Sequence, residues 1–413
     1  MSTTNLTTPL GAIRTPLSFI IIAGCLIAMM SFGVRSTAGL FTLPLTSEFG
    51  WSRETWGLAF AVQNLIWGLI QPVAGGFADK HGTAKTLIIG TIIYALGVLL
   101  LAYGGTELTL FLGAGLLMGL GIGTASFAVV MAAFGRAVPA EKRSFVFGIA
   151  TAASSAGQFV FAPVGQQLIN GFGWQNALLI FAITLLAIIP LSFFLRGKTE
   201  HQADDGRDMP LFETLREAFK HRSYVLLVAG FFVCGFHLAF VTVHMPAYLV
   251  QCGLSPTVGS WALALIGLFN IVGSLGAGYL AGRLPKQFLL ASIYLSRVVI
   301  TGLFLLLPIT EWTTYVFAAV TGLLWLATVP PTAALVTNFF GPKYMGMLYG
   351  FAFLSHQIGS FFGVWLGGVS FDLTGNYDLV WYLGMMIGLL SAALHLPIRE
   401  KRAPHFAVIA PGE

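Results

Sequence analysis

The sequence has few charged residues and few cysteines, and both shortages limit what the chain can be. Charged side chains make up 9% of its 413 residues, against about 25% in an ordinary soluble domain, so the chain cannot present a charged surface to water on all sides. Three cysteines supply no disulfide framework. The sequence also has no Gly-x-x-x-x-Gly-Lys-Ser/Thr nucleotide loop and no His/Cys cluster for a metal or haem. We therefore expect neither an enzyme nor a bound cofactor.

What the sequence has instead is long apolar stretches, since hydrophobic residues make up 56% of it. A helix needs about 20 apolar residues to cross a bilayer core of about 30 Å. Lipid cannot satisfy open sheet edges, so such segments are helices. The sequence predicts an all-α membrane protein, embedded in the lipid bilayer, with twelve transmembrane helices near residues 17–44, 54–78, 85–104, 108–134, 143–170, 174–196, 223–250, 257–282, 287–308, 312–340, 344–371 and 379–398.

The basic residues predict the orientation of these helices. If the twelve predicted helices cross the membrane in alternating directions, all but three of the 21 lysines and arginines fall on one face of it. The exceptions are Arg53 on the opposite side, and Arg35 and Arg297 inside apolar stretches. Basic loops stay cytoplasmic, so we expect cytoplasmic N- and C-termini. The net charge of +5 therefore reports orientation and not a nucleic-acid partner.

The chain divides into two similar halves. Residues 197–222 mix acidic and basic side chains, which predicts a cytoplasmic linker between a six-helix bundle at 1–196 and another at 223–413. Within the linker we predict a surface helix near residues 211–220. Several glycines of the first half recur in the second, offset by 202 or 203 residues. This offset indicates that the two halves arose by duplication. The alternative is a chance match among the 49 glycines. Parallel six-helix repeats with a site at their interface are a transporter pattern.

The loop after the second predicted helix carries a recognisable motif. Residues 75–85 read GGFADKHGTAK, which resembles the G-x-x-x-D-[RK]-x-G-[RK]-[RK] signature of the major facilitator superfamily. The resemblance implies that superfamily's fold and a gate that holds the cytoplasmic side shut. The gate residues would be Gly75, Asp79, Lys80, Lys85 and, from the degraded second copy of the motif, Arg283. An ordinary tight loop is the alternative interpretation.

The sequence is also similar to bacterial relatives of the monocarboxylate porters, in residues 49–53 (FGWSR), 350–368 and 372–377 (DLTGNY). The resemblance implies a monomer in the bacterial cytoplasmic (inner) membrane. Arg35 falls where the porters carry a basic residue for substrate or proton. Asn270 falls where they carry an aspartate, so the resemblance implies substrate contact at Asn270, and the loss of the charge weakens a lactate-type mechanism.

Two arginines lie deep in predicted helices without an acidic partner, because all 16 Asp and Glu fall in loops or near helix ends. For Arg35 we predict an anion site, since a guanidinium grips a carboxylate through two parallel hydrogen bonds. Snorkelling toward the outer surface is the alternative. Arg297 is predicted either to contact substrate or to bond neighbouring helices. Gln63 and Asn64 are predicted to orient a ligand, with interhelical hydrogen bonding as the alternative.

Histidines are the remaining candidates for carrying a proton at depth, because an unperturbed imidazole titrates near pH 6.5. We predict proton coupling through His237 or His356, and substrate contact for His244, which lies two turns after His237 on the same helical face. For each of them, a histidine that only packs between helices is the alternative.

Two adjacent prolines interrupt the tenth predicted helix. Pro330 and Pro331 remove two amide donors and clash with the preceding turn. Exposed backbone at membrane depth is tolerated only against protein or a water-filled cavity. We therefore predict a hinge there, beside the transport pathway.

Together these features predict a secondary active transporter that moves a small, monocarboxylate-like organic anion by alternating access, with proton symport. The alternative is efflux of amphipathic compounds or drugs by the same fold.

Overall fold

The computed structural model describes residues 16–138, 140–197 and 211–403, and these residues are helical throughout, without a strand. The α-helices are α1 Leu17–Ser36, α2 Thr42–Phe49, α3 Arg53–His81, α4 Thr83–Tyr103, α5 Glu107–Leu110, α6 Met118–Thr124, α7 Phe127–Ala137, α8 Ala140–Leu186, α9 Ile188–Ser192, α10 Leu211–Lys220, α11 Arg222–Gln251, α12 Pro256–Ala281, α13 Lys286–Leu306, α14 Glu311–Leu324, α15 Val329–Phe340, α16 Pro342–Thr374 and α17 Asp378–His395. Short 3₁₀ turns at Ala38–Phe41 and Phe193–Leu195 and a π-helical turn at Phe111–Leu117 join neighbouring pieces.

Within the described residues, ten helical stretches are long and apolar enough to cross a membrane. One of them covers 50 residues, Val146–Leu195, about twice what one crossing needs. It changes direction at Gly173, whose φ of 81° is open to glycine at no steric cost. The predicted gap at 171–173 is therefore a sharp turn between two helices. The surface helix α10 falls at the place predicted for it, whereas residues 198–210 of the predicted linker lie outside the described residues.

Corresponding helices in the two halves begin and break in the same way. Thr106 caps the start of α5 and Thr310 the start of α14, each in a capping box closed by a threonine three residues later. These boxes satisfy amide donors that a helix start leaves without partners. Further along, the helix is interrupted between α6 and α7, and again between α14 and α15.

Two large apolar clusters form most of the interior, and two smaller ones lie in the second half. One large cluster is built mainly from α1–α9 and includes Trp56, Phe60 and Phe181, while the other lies within α11–α17 and includes Phe304 and Trp381. Many other large apolar side chains point outward, as expected where lipid and not water surrounds the helices. The two halves meet chiefly where α3 packs on α16 and α8 packs on α12.

The cleft between the halves is closed at one end and open at the other. At the closed end, the Asp372 carboxylate on α16 accepts hydrogen bonds from the first two amides of α3, Arg53 N at 3.1 Å and Glu54 N at 2.7 Å. At the opposite ends of the same two helices, Gly75 and Gly350 face no atom of a neighbouring element within 4 Å of where a Cβ would lie. The helices therefore diverge toward the end that carries the 75–85 loop.

Candidate functional site

Arg35 lies in the last turn of α1, with only 7% of its surface exposed. A cation is favoured at a helix C-terminus, where the carbonyl ends carry partial negative charge. Its Nη2 donates a hydrogen bond to Asn64 Oδ1 on α3 at 2.8 Å. Its guanidinium carbon lies 5.6 Å from the centre of the Trp67 ring. The Nε of Arg35 is buried and has no hydrogen-bond partner among the described residues.

From Arg35 a chain of hydrogen bonds crosses to the other half of the molecule. The backbone oxygen of Asn64 accepts from Gln357 Nε2 on α16 at 3.1 Å. Gln357 Oε1 lies 3.1 Å from His356 Nδ1, and since an amide oxygen can only accept, His356 donates from Nδ1. Arg35, Asn64, Gln357 and His356 are hereafter called the interface network. It connects a buried cation in the first half to a titratable ring in the second.

Aromatic rings line one side of the interface network. Trp67 and Phe353 meet edge to face with centroids 5.7 Å apart. Phe353 in turn stacks on His356 at 5.6 Å, with the rings 8° from parallel. Phe231 contacts the same imidazole at 5.1 Å. The site therefore joins a cation and amide groups to a flat apolar wall.

No acidic side chain among the described residues forms an ion pair with Arg35. Among the described residues the ion pairs are Lys220 with Glu217 and Lys286 with Glu400, all of them outside the interior of the transmembrane helices. An arginine at the centre of a bilayer costs about 2.5–3.5 kcal/mol even on the gentler insertion scale. Arg35 is thus a buried cation with one donor, Nε, left without a partner among the described residues.

Two other predicted binding residues are held by backbone groups. Gln63 Nε2 donates to Ala114 O at 2.9 Å within the first half. His244 Nε2 lies 2.7 Å from Val364 O, so this nitrogen carries the proton, and the ring packs near the closed end of the cleft. These contacts fix how the helices pack, and substrate contact at Gln63 and His244 stays a prediction.

Asn270 on α12 connects the broken helix to the other half of the molecule. Its side chain is fully buried; Nδ2 donates to Ser155 Oγ on α8 at 2.8 Å, and Oδ1 accepts from Leu326 N at 3.0 Å. Leu326 lies between α14 and α15. Asn270 therefore bonds both the break in the helix and the facing half of the molecule, and substrate contact there is a prediction.

Arg297 on α13 and His237 on α11 lie inside the second half. Arg297 Nη2 donates to Leu324 O and Trp325 O, both at 2.6 Å. These carbonyls have lost their helical partners where α14 stops. His237 Nε2 lies 2.7 Å from Gly384 O on α17. Both residues therefore bond other helices of the second half, and neither has a contact with Arg35 among those described.

The predicted gate residues lie at the open end. Asp79 is half-buried at the end of α3, close enough to Arg136 for their charges to interact, while Lys80 and Lys85 are exposed. Arg283 lies over the Tyr279 ring at 4.1 Å. Gly75 and these side chains thus lie where the cleft is widest, and their action as a gate remains a prediction.

The predicted hinge is offset from the prolines. Pro330 and Pro331 occupy the first turn of α15, where a missing amide hydrogen costs nothing because that amide has no helical partner. The break itself comes just before them, at 325–328. The prolines therefore end the interruption of the helix and do not bend a continuous one.

Sequence reasoning passed over three residues that the structure makes prominent. Gln357 joins the two halves, and Trp67 covers Arg35. Asp372 closes the cleft by capping α3. Gln357 was detectable as an amide beside a histidine in an apolar helix. The roles of Trp67 and Asp372 depend on which helices pack together, and one sequence does not reveal that.

Comparison with known proteins gives a consistent picture. A family model described as Major Facilitator Superfamily matches residues 23–364. The uncharacterized MFS-type transporter YcxA of Bacillus subtilis is 26% identical over 385 residues, covering 91% of this chain and 93% of its own. Monocarboxylate transporter 13 of Rattus norvegicus is 26% identical over 356 residues, covering 84% of this chain and 80% of its own.

A solved structure shares the fold. It is a bacterial homologue of the human lysosomal transporter Spinster, in an inward-facing and occupied conformation. The two align with a TM-score of 0.73 and 14% sequence identity, covering 93% of this chain and 97% of the other. The similarity predicted from the 75–85 motif, and the further similarity to monocarboxylate porters, are both confirmed.

Proposed function

Because the chain belongs to the Major Facilitator Superfamily, we propose that it is a secondary active transporter that moves a small organic anion, of the monocarboxylate class, by alternating access. One observation carries this proposal. It is the buried Arg35 guanidinium, bonded to Asn64 and uncompensated by any carboxylate of the described transmembrane interior. The relatives named as monocarboxylate transporters support the substrate class.

The proposed topology has twelve crossings, with both termini in the cytoplasm of a bacterial cell and the protein acting as a monomer. Consecutive short helices combine into single crossings, which are α1–α2, α5–α7 and α14–α15. The long helix α8 makes two crossings around Gly173. In this orientation the end closed by Asp372 faces outward and the open end faces the cytoplasm. The structure then corresponds to the inward-open state of the cycle.

In the proposed binding mode, one carboxylate oxygen accepts from Arg35 Nε and the other from a terminal guanidinium nitrogen. Both bonds are charge-assisted, which makes them about twice as strong as neutral ones. The organic part of the substrate lies against Trp67 and Phe353. Asn64 holds the guanidinium by Nη2, and Nε, buried and without a partner, becomes available when the substrate moves in beside it.

For coupling we propose that His356 carries the proton. Its ring belongs to the interface network, in which Asn64 and Gln357 lie between it and Arg35. Protonation would convert the Gln357–His356 contact into a charge-assisted bond and add a second cation near the anion. An anion and a proton would therefore bind cooperatively, as symport requires. His237 is the less favoured carrier because it faces the interior of the second half.

The test is uptake of radiolabelled acetate, lactate and pyruvate into proteoliposomes under an inward proton gradient. Arg35→Gln should lower uptake by about tenfold to a hundredfold, because a hydrogen bond to a charged group contributes roughly 1.5–3 kcal/mol. Arg35→Lys keeps the charge but loses the planar guanidinium that donates two parallel hydrogen bonds, so its uptake should be intermediate. Arg216→Gln, on the exposed face of α10, is the matched control and should transport normally.

His356→Gln tests the coupling separately. It should abolish stimulation by the proton gradient while leaving exchange of labelled for unlabelled substrate. Normal uptake by Arg35→Gln at equal protein content would contradict the anion site. Normal gradient stimulation of His356→Gln would contradict only the choice of proton carrier.

Efflux of amphipathic compounds is the second candidate, favoured by the aromatic wall of Trp67, Phe353 and Phe231. It predicts resistance to such compounds when the protein is overproduced, with no uptake of labelled carboxylates.

A further inference from the structure

The surface helix α10 exposes an apolar edge. Thr214 and Ala218 are buried, and Ala218 belongs to an apolar cluster of the second half. An α-helix turns about 100° per residue, so Phe212 and Phe219 lie together, about 130° around the helix from that buried face. Phe212 is 81% exposed and Phe219 is 45% exposed. A helix that lies on a bilayer buries such side chains at the boundary between headgroups and acyl chains.

The position of α10 relative to a transmembrane helix is fixed by its C-terminal end. It ends at Lys220, and α11 begins at Arg222. Phe219 packs edge to face on Tyr224, in the first turn of α11, with ring centroids 5.5 Å apart. The hydroxyl of Tyr224 donates to Leu348 O at 2.8 Å, near the start of α16. The junction of α10 and α11 therefore lies at the open end of the cleft, where α11 enters the membrane.

The C-terminal segment 399–403 runs beside the same junction. Arg399 N donates to Ser223 Oγ at 3.1 Å, and Ala403 N donates to Phe339 O at 2.9 Å. The one acid of this segment, Glu400, pairs with Lys286 on α13. Its basic side chains are exposed, so they add positive charge at the start of α11.

Four exposed basic residues around this junction are hereafter called the basic patch. They are Lys220, Arg222, Arg399 and Lys401. Lys220 pairs with Glu217 on its own helix, an exposed type of pair that contributes little. The other three form no ion pair with any residue that the structure describes. Clusters of four to eight basic residues just cytoplasmic of a transmembrane helix are typical of sites for anionic lipid headgroups.

We propose that α10 and the basic patch form a binding surface for anionic phospholipids of the cytoplasmic leaflet. Phe212 and Phe219 enter the boundary of the acyl chains, and the basic patch donates to the lipid phosphates. The leaflet follows from the proposed topology, which places the start of α11 in the cytoplasm. The surface involves neither Arg35 nor the proposed organic anion.

The test is a lipid titration of the purified full-length protein in detergent, with bound lipid counted by native mass spectrometry. Dioleoylphosphatidylglycerol is compared with dioleoylphosphatidylcholine, which has the same acyl chains and no net charge. The anionic lipid should bind at least tenfold more tightly. Each basic residue near an anionic surface contributes about fivefold in affinity. The double variant Arg222→Gln/Lys401→Gln should therefore weaken binding of the anionic lipid about twenty-five-fold and leave the neutral lipid unchanged.

A matched double variant locates the effect. Lys80→Gln/Lys85→Gln removes two exposed charges at the same end of the helices, but from the first half. It should keep the wild-type affinity for the anionic lipid. All of these residues are exposed, so unchanged melting temperatures should show that both double variants are folded.

The apolar edge is tested with an environment-sensitive dye in liposomes that contain the anionic lipid. The dye is attached through Phe212→Cys, in a background that lacks the exposed Cys252. It should report apolar surroundings and be quenched by brominated acyl chains. Glu213→Cys is the control, because this exposed residue lies about 100° further around the helix and its dye should stay in water.

Equal affinity for the two lipids would overturn the proposal and leave the acidic residues of 198–210 as the partners of the basic patch. Equal weakening by Lys80→Gln/Lys85→Gln, or a dye at residue 212 that stays in water, would also overturn it. The topology is checked separately. Labelling of Cys252 on intact cells by a membrane-impermeant reagent would support the cytoplasmic leaflet, and protection of Cys252 would overturn that assignment alone.

Discussion

Removing the Asp372 carboxylate should open the closed end of the cleft. The first amides of a helix have no partner within the helix, and at α3 those of Arg53 and Glu54 are satisfied by Asp372 from the other half. Loss of a capping side chain costs about 0.5–2 kcal/mol. Loss of a negative charge at an exposed helix N-terminus costs about 0.3–1 kcal/mol. We expect Asp372→Ala to shift the equilibrium toward outward opening by roughly fourfold to a hundredfold, since the two costs add to about 0.8–3 kcal/mol and 1.4 kcal/mol corresponds to a factor of ten.

The assay is the distance between spin labels on Ser47 and Thr257, which are exposed near the closed end on opposite halves. The background should lack Cys252, the exposed native cysteine. Asp372→Ala should increase the population of long distances. Asp378→Ala is the matched control, because this exposed acid starts α17 and caps no helix of the first half. Identical distance distributions for Asp372→Ala and the parent would refute the capping argument.

Two further substitutions test how the helices pack. Gly359→Ala should destabilise the protein by about 1–3 kcal/mol, because a Cβ there would overlap the Phe232 carbonyl oxygen, whereas Gly350→Ala, in open space on the same helix, should be neutral. Asn270→Leu should lower the free energy of unfolding by about 1–3 kcal/mol by leaving the buried amide of residue 326 unpartnered; Ser274→Ala, whose hydroxyl bonds only its own helix, should have a smaller effect. Thermal melting in detergent measures both, and equal melting temperatures within either pair would contradict the packing described.

Much of the fold could be predicted because membrane helices follow from length and hydropathy alone. The turn at Gly173 and the surface helix α10 lie where the sequence places them. Both signals are local. A glycine in a short gap between apolar stretches marks a turn, and a charged, amphipathic segment of ten residues is too polar to enter lipid.

The details of the site depend on contacts between helices that one sequence does not specify. Pro330 and Pro331 predicted an interruption of the helix, but its position at 325–328 is set by bonds from Arg297 and Asn270. His237 and His244 share a helical face, yet each bonds a different neighbouring helix. Arg35 could be selected from the sequence because an arginine within an apolar stretch is unusual in itself. Recognising it did not require knowing which helices pack around it.

The most direct test of the central claim is titration of purified protein with a small monocarboxylate, such as lactate, by calorimetry in the wild type and in Arg35→Gln. The account predicts saturable binding by the wild type and at least tenfold weaker binding by the variant. Arg216→Gln should bind like the wild type. Equal affinity in Arg35→Gln would contradict the claim that the buried guanidinium holds an anionic substrate.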